Sequence, residues 1–129
     1  MQRKLYITGF LFGLIAIVLG AFATHGLKPL ISENSAAVFE TGVRYHMYHA
    51  LLLVLLGNVK NFQNKQATWI YYLLIFGVIL FSGSIYLLAI NSLTSFDFTV
   101  IALLTPLGGT LLILAWLLLI FRFSKLKNK

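Results

Sequence analysis

The chain has 129 residues, of which 60% are hydrophobic and only 10% charged, and its net charge is +7. A soluble domain of this size could not bury so much apolar surface, whereas a bilayer accepts it because helices satisfy their own backbone hydrogen bonds. The basic residues lie at the chain ends and in one short connection, so nucleic acid is not an expected partner. With no cysteine, the chain forms no disulfide and offers no thiolate to a metal.

The first apolar segment, Tyr6 to Ala23, carries no charge and is about as long as the ~20 residues that cross a bilayer. Arg3 and Lys4 precede it and its end resembles a cleavage site, so a signal peptide is an alternative. We favour a permanent helix, because the segment is longer than a signal-peptide core and has small residues on one face. That stripe predicts close packing, either inside the bundle or in a homodimer, and contains Gly9, Gly13 and Gly20.

The second apolar segment, Met47 to Val59, is short for a membrane crossing. A crossing there leaves only Lys28 and Arg44 on the outward side and collects every other basic residue on the inner side, as the positive-inside rule requires. We therefore predict a second helix that begins near Asn34 or Ser35 and has a polar outer end. The inner basic residues are Arg3, Lys4, Lys60, Lys65, Arg122, Lys125, Lys127 and Lys129.

Two further uncharged segments, Tyr71 to Ile90 and Phe98 to Phe121, have the length of membrane spans. Proline lacks a backbone donor and glycine weakens a helix, so a kink or break is expected at Pro106, Gly108 and Gly109. The predicted architecture is a single domain, 1–129, folded as an all-α, antiparallel four-helix bundle in the membrane with both termini cytoplasmic. The predicted helices are approximately 5–24, 35–59, 69–91 and 97–123.

Most of the polar side chains of these segments lie between positions 40 and 49. Glu40 and Arg44 have the spacing and order of a helical ion pair, whereas His46 and His49 lie on another face, shared with Gly42. Ionisable groups at membrane depth are candidates for function. The candidate polar or ligand site therefore contains His25, Glu40, Arg44, Tyr45, His46, Tyr48, His49, Ser82 and Ser84.

The histidines allow three interpretations. A metal or haem site would use His46 and His49 with His25 as a third ligand. A proton relay or pH-sensitive gate would use the titration of histidine near neutral pH. We favour the third interpretation, a hydrogen-bond network with tyrosines and backbone carbonyls, and predict no metal and no cofactor.

Small and hydroxyl-bearing residues occupy the third segment at Ser82, Gly83 and Ser84. They predict either hydrogen bonds across helices or, as we favour, tight packing with the hydroxyls bonded to the local backbone.

Four ordered motifs give the chain a family resemblance. They are Gly20-Ala21-Phe22-Ala23-Thr24-His25-Gly26-Leu27, the stretch Phe39 to Ala50, Phe81-Ser82-Gly83-Ser84 and Thr105-Pro106-Leu107-Gly108-Gly109. Together they resemble the YgdD/YwdK-like family of small inner-membrane proteins, a family of unknown function (DUF423, UPF0382-type). The resemblance covers essentially the whole chain, departs from the family pattern at Ala23 and Thr24, and implies a multi-pass protein of the bacterial cytoplasmic membrane.

No motif joins a nucleophile, a base and an orienting group, so we do not expect an enzyme. The leading hypothesis is a bundle that associates with itself or with a larger membrane complex and binds a lipid headgroup or partner at its outward polar site. The alternative is a transporter or channel for a small solute or proton that uses the His/Glu/Arg cluster. Membrane lipids are the expected partners in either case.

Overall fold

The computed structural model describes residues 1–126 and is built from helices. The four long helices are α1 (Gln2–Phe22), α2 (Glu33–Gly57), α3 (Lys65–Ala89) and α4 (Leu104–Ser124). Each is antiparallel to the next, which confirms the predicted all-α bundle. We call the end where α1 begins and α4 ends the terminal end, and the opposite end the far end.

Helix α1 begins three residues before its predicted start, because Arg3 and Lys4 extend the helix beyond the apolar segment. At the far end it does not stop sharply. A π-helical turn, Ala23–Leu27, and a short 3-10 helix, Lys28–Leu30, carry the chain over to α2.

Helix α2 starts at a side-chain cap. The hydroxyl of Ser32 accepts a hydrogen bond from the backbone N–H of Ser35 at 3.1 Å, and Glu33 places a negative charge in the first turn. The helix runs for 25 residues, so the polar stretch and the short apolar segment form one continuous rod. Its length matches that of α3, which is also 25 residues long and is capped by Asn64.

The expected break in the fourth segment occurs earlier than predicted. A short 3-10 helix, Phe98–Ile101, ends before α4 begins at Leu104, and α4 then runs continuously through Gly108 and Gly109. Pro106 lies in the first turn of α4, where its missing N–H has no intrahelical partner to lose. The predicted break therefore lies before Pro106, and α4 is not interrupted at Pro106, Gly108 or Gly109.

Close approach of backbones holds the helices together in two places. A Cβ on Gly9 would lie 2.9 Å from the carbonyl oxygen of Ala50, so α1 packs against α2 with no room for a side chain. A Cβ on Gly108 would overlap the backbone N of Phe81 in α3. The contacts of Gly9, together with looser ones at Gly13 and Gly20, place the small-residue stripe of α1 against α2 of the same chain.

Two predicted packing glycines behave differently. A Cβ on Gly83 would meet no atom within 4 Å, so its prediction as a packing residue was wrong, and Gly109 contacts only the ring of Phe81 at ordinary distance. Sequence reasoning missed Gly77 as a packing residue, although a Cβ there would come within 2.8 Å of the Leu112 side chain.

Helices α2 and α3 form the middle of the bundle, with α1 packed mainly on α2 and α4 mainly on α3. All four helices contribute to one apolar core. It includes Leu5, Phe12, Ala50, Leu53, Ile70, Leu74, Leu112 and Ala115.

Within residues 1–126, three helical segments are long and apolar enough to cross a membrane: Gln2–Leu30, Lys65–Ala89 and Phe98–Ser124. Helix α2 is not among them, because polar residues occupy its first half. It nevertheless lies antiparallel between α1 and α3 over most of its length, with Tyr6 against Gly57 at the terminal end and Gly20 against Val43 toward the far end.

Candidate functional site

Six of the nine predicted site residues separate into three groups rather than one cluster. Glu40 and Arg44 line a groove at the far end, Tyr45, Tyr48 and His49 line a second groove between α2 and α4, and His46 is enclosed between helices. The helical wheel anticipated part of this separation, since Gly42, His46 and His49 are buried on α2 while Glu40 and Arg44 are exposed. The predicted His/Glu/Arg cluster does not form.

The far-end groove lies between the last turns of the α1 segment and the first turns of α2, and its volume is about 520 Å³. Glu40 and Arg44 form the expected ion pair, 3.6 Å apart, with both side chains more than half exposed. Arg44 extends its guanidinium toward the far end to reach Glu40, one turn earlier in α2. The groove is lined by Gly20, Ala23, Thr24, Lys28, Glu33, Ala36, Ala37, Glu40, Val43 and Arg44.

Lys28 and Glu33 belong to this groove, and sequence reasoning missed them. They give it two basic and two acidic side chains, so its formal charge is balanced. A signal was present: Lys28 is one of only two basic residues predicted on the outward side, and Glu33 begins α2.

His46 is buried between α1, α2 and α3. Its Nδ1 lies 2.9 Å from the hydroxyl of Tyr86, and the imidazole and the ring of Phe12 are nearly perpendicular, with a centroid distance of 5.2 Å. Its Nε2 is buried and has no hydrogen-bond partner among the described residues. The side chain is only 6% exposed, so an unpaired nitrogen is enclosed within the bundle.

His49 has both nitrogens paired. The indole N–H of Trp116 donates to Nε2 at 3.2 Å, and since an indole cannot accept, Nε2 must be the unprotonated nitrogen. Nδ1 then carries the proton and donates to the backbone carbonyl of Tyr45 at 2.6 Å. This arrangement requires neutral imidazole and links α2 to α4.

The serines of α3 also act between helices. Ser82 donates to the carbonyl of Gly42 in α2 at 2.8 Å, so the expectation that its hydroxyl returns to the local backbone was wrong. Ser84 bonds both its local backbone, at Phe81, and the hydroxyl of Thr105 in α4. These bonds fix the position of α3 against both of its neighbours.

The metal interpretation lacks its third ligand. Within residues 1–126, no three histidine, cysteine, aspartate or glutamate side chains come together in a way that could hold a metal ion. His25 lies in the π-helical turn at the far end, whereas His49 donates and accepts hydrogen bonds inside the bundle. The set of His25, His46 and His49 that the metal interpretation requires is therefore not assembled.

Comparison with known proteins identifies the class. The family described as "Protein of unknown function (DUF423)" matches residues 19–109. The UPF0382 membrane protein SSP2132 of Staphylococcus saprophyticus is 36% identical over 125 residues, which cover 97% of this chain and 100% of the relative. YwdK of Bacillus subtilis, also a UPF0382 membrane protein, is 35% identical over 92% of this chain and 94% of its own length.

A UPF0382 membrane protein of Haemophilus influenzae is 35% identical over 99% of both chains. No solved structure matches. The helical fold and these relatives define a small membrane protein. The chain belongs to the DUF423 family, as its four motifs predicted.

Proposed function

We propose that the chain is a non-enzymatic, multi-pass protein of the bacterial cytoplasmic membrane that binds a phospholipid headgroup in its far-end groove. The observation that carries the proposal is the groove itself, in which charges of both signs line a cleft beside apolar, lipid-facing helices. The groove lies at the ends of the apolar helices, which is where lipid headgroups meet a membrane-spanning bundle.

Four crossings are supported by the packing of α2. Helices α1 and α3 are apolar enough to cross, and α2 lies antiparallel to both over most of its length. A helix in that position must traverse the same thickness as its neighbours. Its polar first half is accommodated because His46 is enclosed by the bundle and Glu40 pairs with Arg44.

Cytoplasmic termini are supported by the distribution of charge. The terminal end carries Arg3, Lys4, Lys60, Lys65, Arg122 and Lys125, whereas the far end has Lys28 and Arg44 balanced by acidic residues. The positive-inside rule assigns the first set to the cytoplasm. The far-end groove then faces outward.

The balanced charge of the groove favours a zwitterionic headgroup. Lys28 and Arg44 supply donors for a phosphate, and Glu33 and Glu40 supply acceptors for a primary ammonium group. An anionic headgroup without an amine would leave the two carboxylates opposed to its charge. Small residues such as Gly20, Ala36 and Ala37 leave room for the acyl-chain end of the lipid to approach.

Native mass spectrometry of the purified protein in mild detergent tests this function. Phosphatidylethanolamine should be retained in preference to phosphatidylglycerol, and the Lys28→Gln/Arg44→Gln variant should weaken that binding about fivefold, which corresponds to about 1 kcal/mol of exposed charge interaction. Arg3→Gln is the matched control, since it removes a base outside the groove. Equal retention of both lipids by wild type and variant would reject the groove as a headgroup site.

The masses in the same spectra also show whether the chain associates with itself or with other membrane proteins. We propose that the lipid-facing sides of α1 and α4 also allow a homo-oligomer or a larger membrane complex to form, because both helices expose large apolar side chains along their length. Only masses of the lone chain, extracted under gentle conditions, would contradict this part of the proposal.

A second candidate function is movement of a proton or small solute, and one observation favours it. The unpaired Nε2 of His46 lies within the bundle, where a neutral imidazole could accept a proton. Liposomes containing the pure protein should then show proton flux that His46→Gln reduces. Identical flux in protein-free liposomes would exclude this candidate.

A further inference from the structure

A second groove opens on the lipid-facing side of the bundle between α2 and α4. Its volume is about 490 Å³, and it carries no charged residue. Aromatic side chains line one part of this groove. Leucines of α2 line the rest, toward the terminal end of the bundle. We call it the aromatic groove; its lining consists of Tyr45, Tyr48, His49, Leu51, Leu52, Leu55 and Trp116.

The groove contains two hydrogen-bond donors without partners. Tyr45 is 42% exposed and Tyr48 is 55% exposed, and within residues 1–126 neither phenol hydroxyl bonds another group of the chain. The imidazole of His49 and the indole N–H of Trp116 already form a hydrogen bond with each other, so they are not available to a ligand. The two phenols are therefore the donors available to a ligand.

The depth of these donors restricts what can reach them. Tyr48 lies nine residues before the end of α2 at Gly57, or about 13 Å along the helix. With the crossings proposed above, that level is well inside the ~30 Å of hydrocarbon. Phospholipid phosphates and ester groups stay near its boundary, so the hydroxyls need an acceptor that itself dissolves in the hydrocarbon.

The aromatic side chains that line the groove favour a ligand with a planar ring. Tyr45 and Tyr48 lie edge to face with ring centroids 5.7 Å apart, and the rings of His49 and Trp116 are edge to face at 6.2 Å. Aromatic walls of this kind accept a planar ring by stacking or edge contact. Leu52 and Leu55 extend the groove for an apolar tail.

We propose that the aromatic groove binds an isoprenoid quinone, a neutral ring with carbonyl acceptors and an apolar tail. The phenol hydroxyls of Tyr45 and Tyr48 donate to the quinone carbonyl, Trp116 lies beside the ring, and the tail follows the leucines of α2. This site is independent of the headgroup groove and depends only on the proposed membrane crossings. No electron transfer is part of the proposal.

Tryptophan fluorescence tests the site directly, because a quinone quenches indole emission on contact. The chain has two tryptophans, so Trp69→Phe leaves Trp116 as the only reporter. Decylubiquinone added to this protein in detergent should quench it saturably. In the same background, Tyr45→Phe/Tyr48→Phe should raise the Kd about tenfold, which is the effect expected from losing two hydrogen bonds.

Tyr72→Phe is the matched control, since Tyr72 is 43% exposed on α3 outside the groove, and its removal should leave the Kd unchanged. Leu55→Phe would narrow the groove with a side chain that adds no indole emission, and it should weaken or abolish saturable quenching of Trp116 without touching either phenol. Circular dichroism should show unchanged helix content in each variant.

Three outcomes would overturn the proposal. Quenching that rises linearly with quinone would show partition into the detergent, and an unchanged Kd in the double tyrosine variant would show that the phenols do not bind the carbonyl. Quenching prevented by self-association of the chain would show that a second copy covers the groove.

Discussion

The indole N–H of Trp116 donates to Nε2 of His49, 3.2 Å away, and joins α4 to α2. The Trp116→Phe substitution keeps an aromatic side chain, although a smaller one, but removes the donor, which leaves a buried imidazole nitrogen unpaired. The free energy of unfolding should fall by about 0.6–1.7 kcal/mol, the range found for hydrogen bonds between membrane helices. Reversible denaturation in mixed micelles measures the free energy of unfolding of the wild type and the variant. Trp69→Phe, at an exposed position of α3, should change little, and equal losses in both variants would contradict the role of this bond.

Gly108 is the glycine with the least room for a side chain. In the Gly108→Ala variant the new methyl group would overlap backbone atoms of Phe81 and Leu80, which cannot rotate away. The α3–α4 contact should open, at a cost of about 1–3 kcal/mol in unfolding free energy.

Gly83→Ala is the matched control for this prediction, because a methyl group there meets no atom within 4 Å. It should be neutral or stabilise the protein by up to about 1 kcal/mol through the higher helix propensity of alanine. Thermal unfolding in detergent compares the two variants, and similar melting temperatures would show that α3 and α4 do not approach as described.

Arg122, near the end of α4, forms hydrogen bonds with the connection between α2 and α3. Its guanidinium donates to the side chain of Asn64 at 2.7 Å and to the carbonyl of Asn61 at 3.0 Å, and it lies over the ring of Phe62. Arg122→Lys keeps the charge but loses the planar, forked guanidinium whose two nitrogens bond Asn64 and Asn61 separately. We expect a loss of about 1 kcal/mol in unfolding free energy, whereas Arg3→Lys should have no effect on the same assay.

The proposed orientation can be tested with single cysteines, because the chain has none of its own. Ser95→Cys places an exposed thiol in the far-end connection, and Gln63→Cys places one in the terminal-end connection. In intact cells a membrane-impermeant maleimide should label the cysteine at 95 and reach the one at 63 only after lysis. Labelling of the cysteine at 63 in intact cells, alone or together with the one at 95, would contradict cytoplasmic termini.

Asp97 should titrate below its ordinary pKa. The backbone N–H of Thr99 and then its hydroxyl donate to the carboxylate, which favours the charged form and lowers the pKa. The resulting stabilisation of the far-end turn is present above the ordinary pKa of aspartate and is lost as the pH falls through the lowered value. Carbon NMR of the Asp97 carboxyl should show the lowered midpoint, and Thr99→Val should move it upward; an unchanged midpoint would mean that the hydroxyl does not contribute.

Several features of the fold were readable from the residues in order. Long uncharged segments predicted α1, α3 and α4, and the spacing on α2 separated Glu40 and Arg44 from His46 and His49, because a helix of 3.6 residues per turn places them on different faces. The small-residue stripe of α1 was likewise visible, although its partner was not.

Other features of the fold could not be predicted, because they depend on contacts between residues that are far apart in the sequence. Nothing in the spacing of α3 shows that Ser82 bonds the carbonyl of Gly42 rather than its own helix, and the sequence around Pro106 does not show that α4 starts two residues before it. Likewise, Lys28 joins Glu40 and Arg44 only because the turn after α1 folds back beside α2.

By itself, the sequence determined that this chain belongs in a membrane, that it is helical and that the charged and histidine side chains of α2 lie on different faces, because hydrophobicity and helical period are local properties. The tertiary structure alone decided that the polar side chains divide between two separate grooves and an enclosed histidine. That division depends on the distance and rotation between neighbouring helices, which contacts at a few small residues such as Gly9 and Gly108 set.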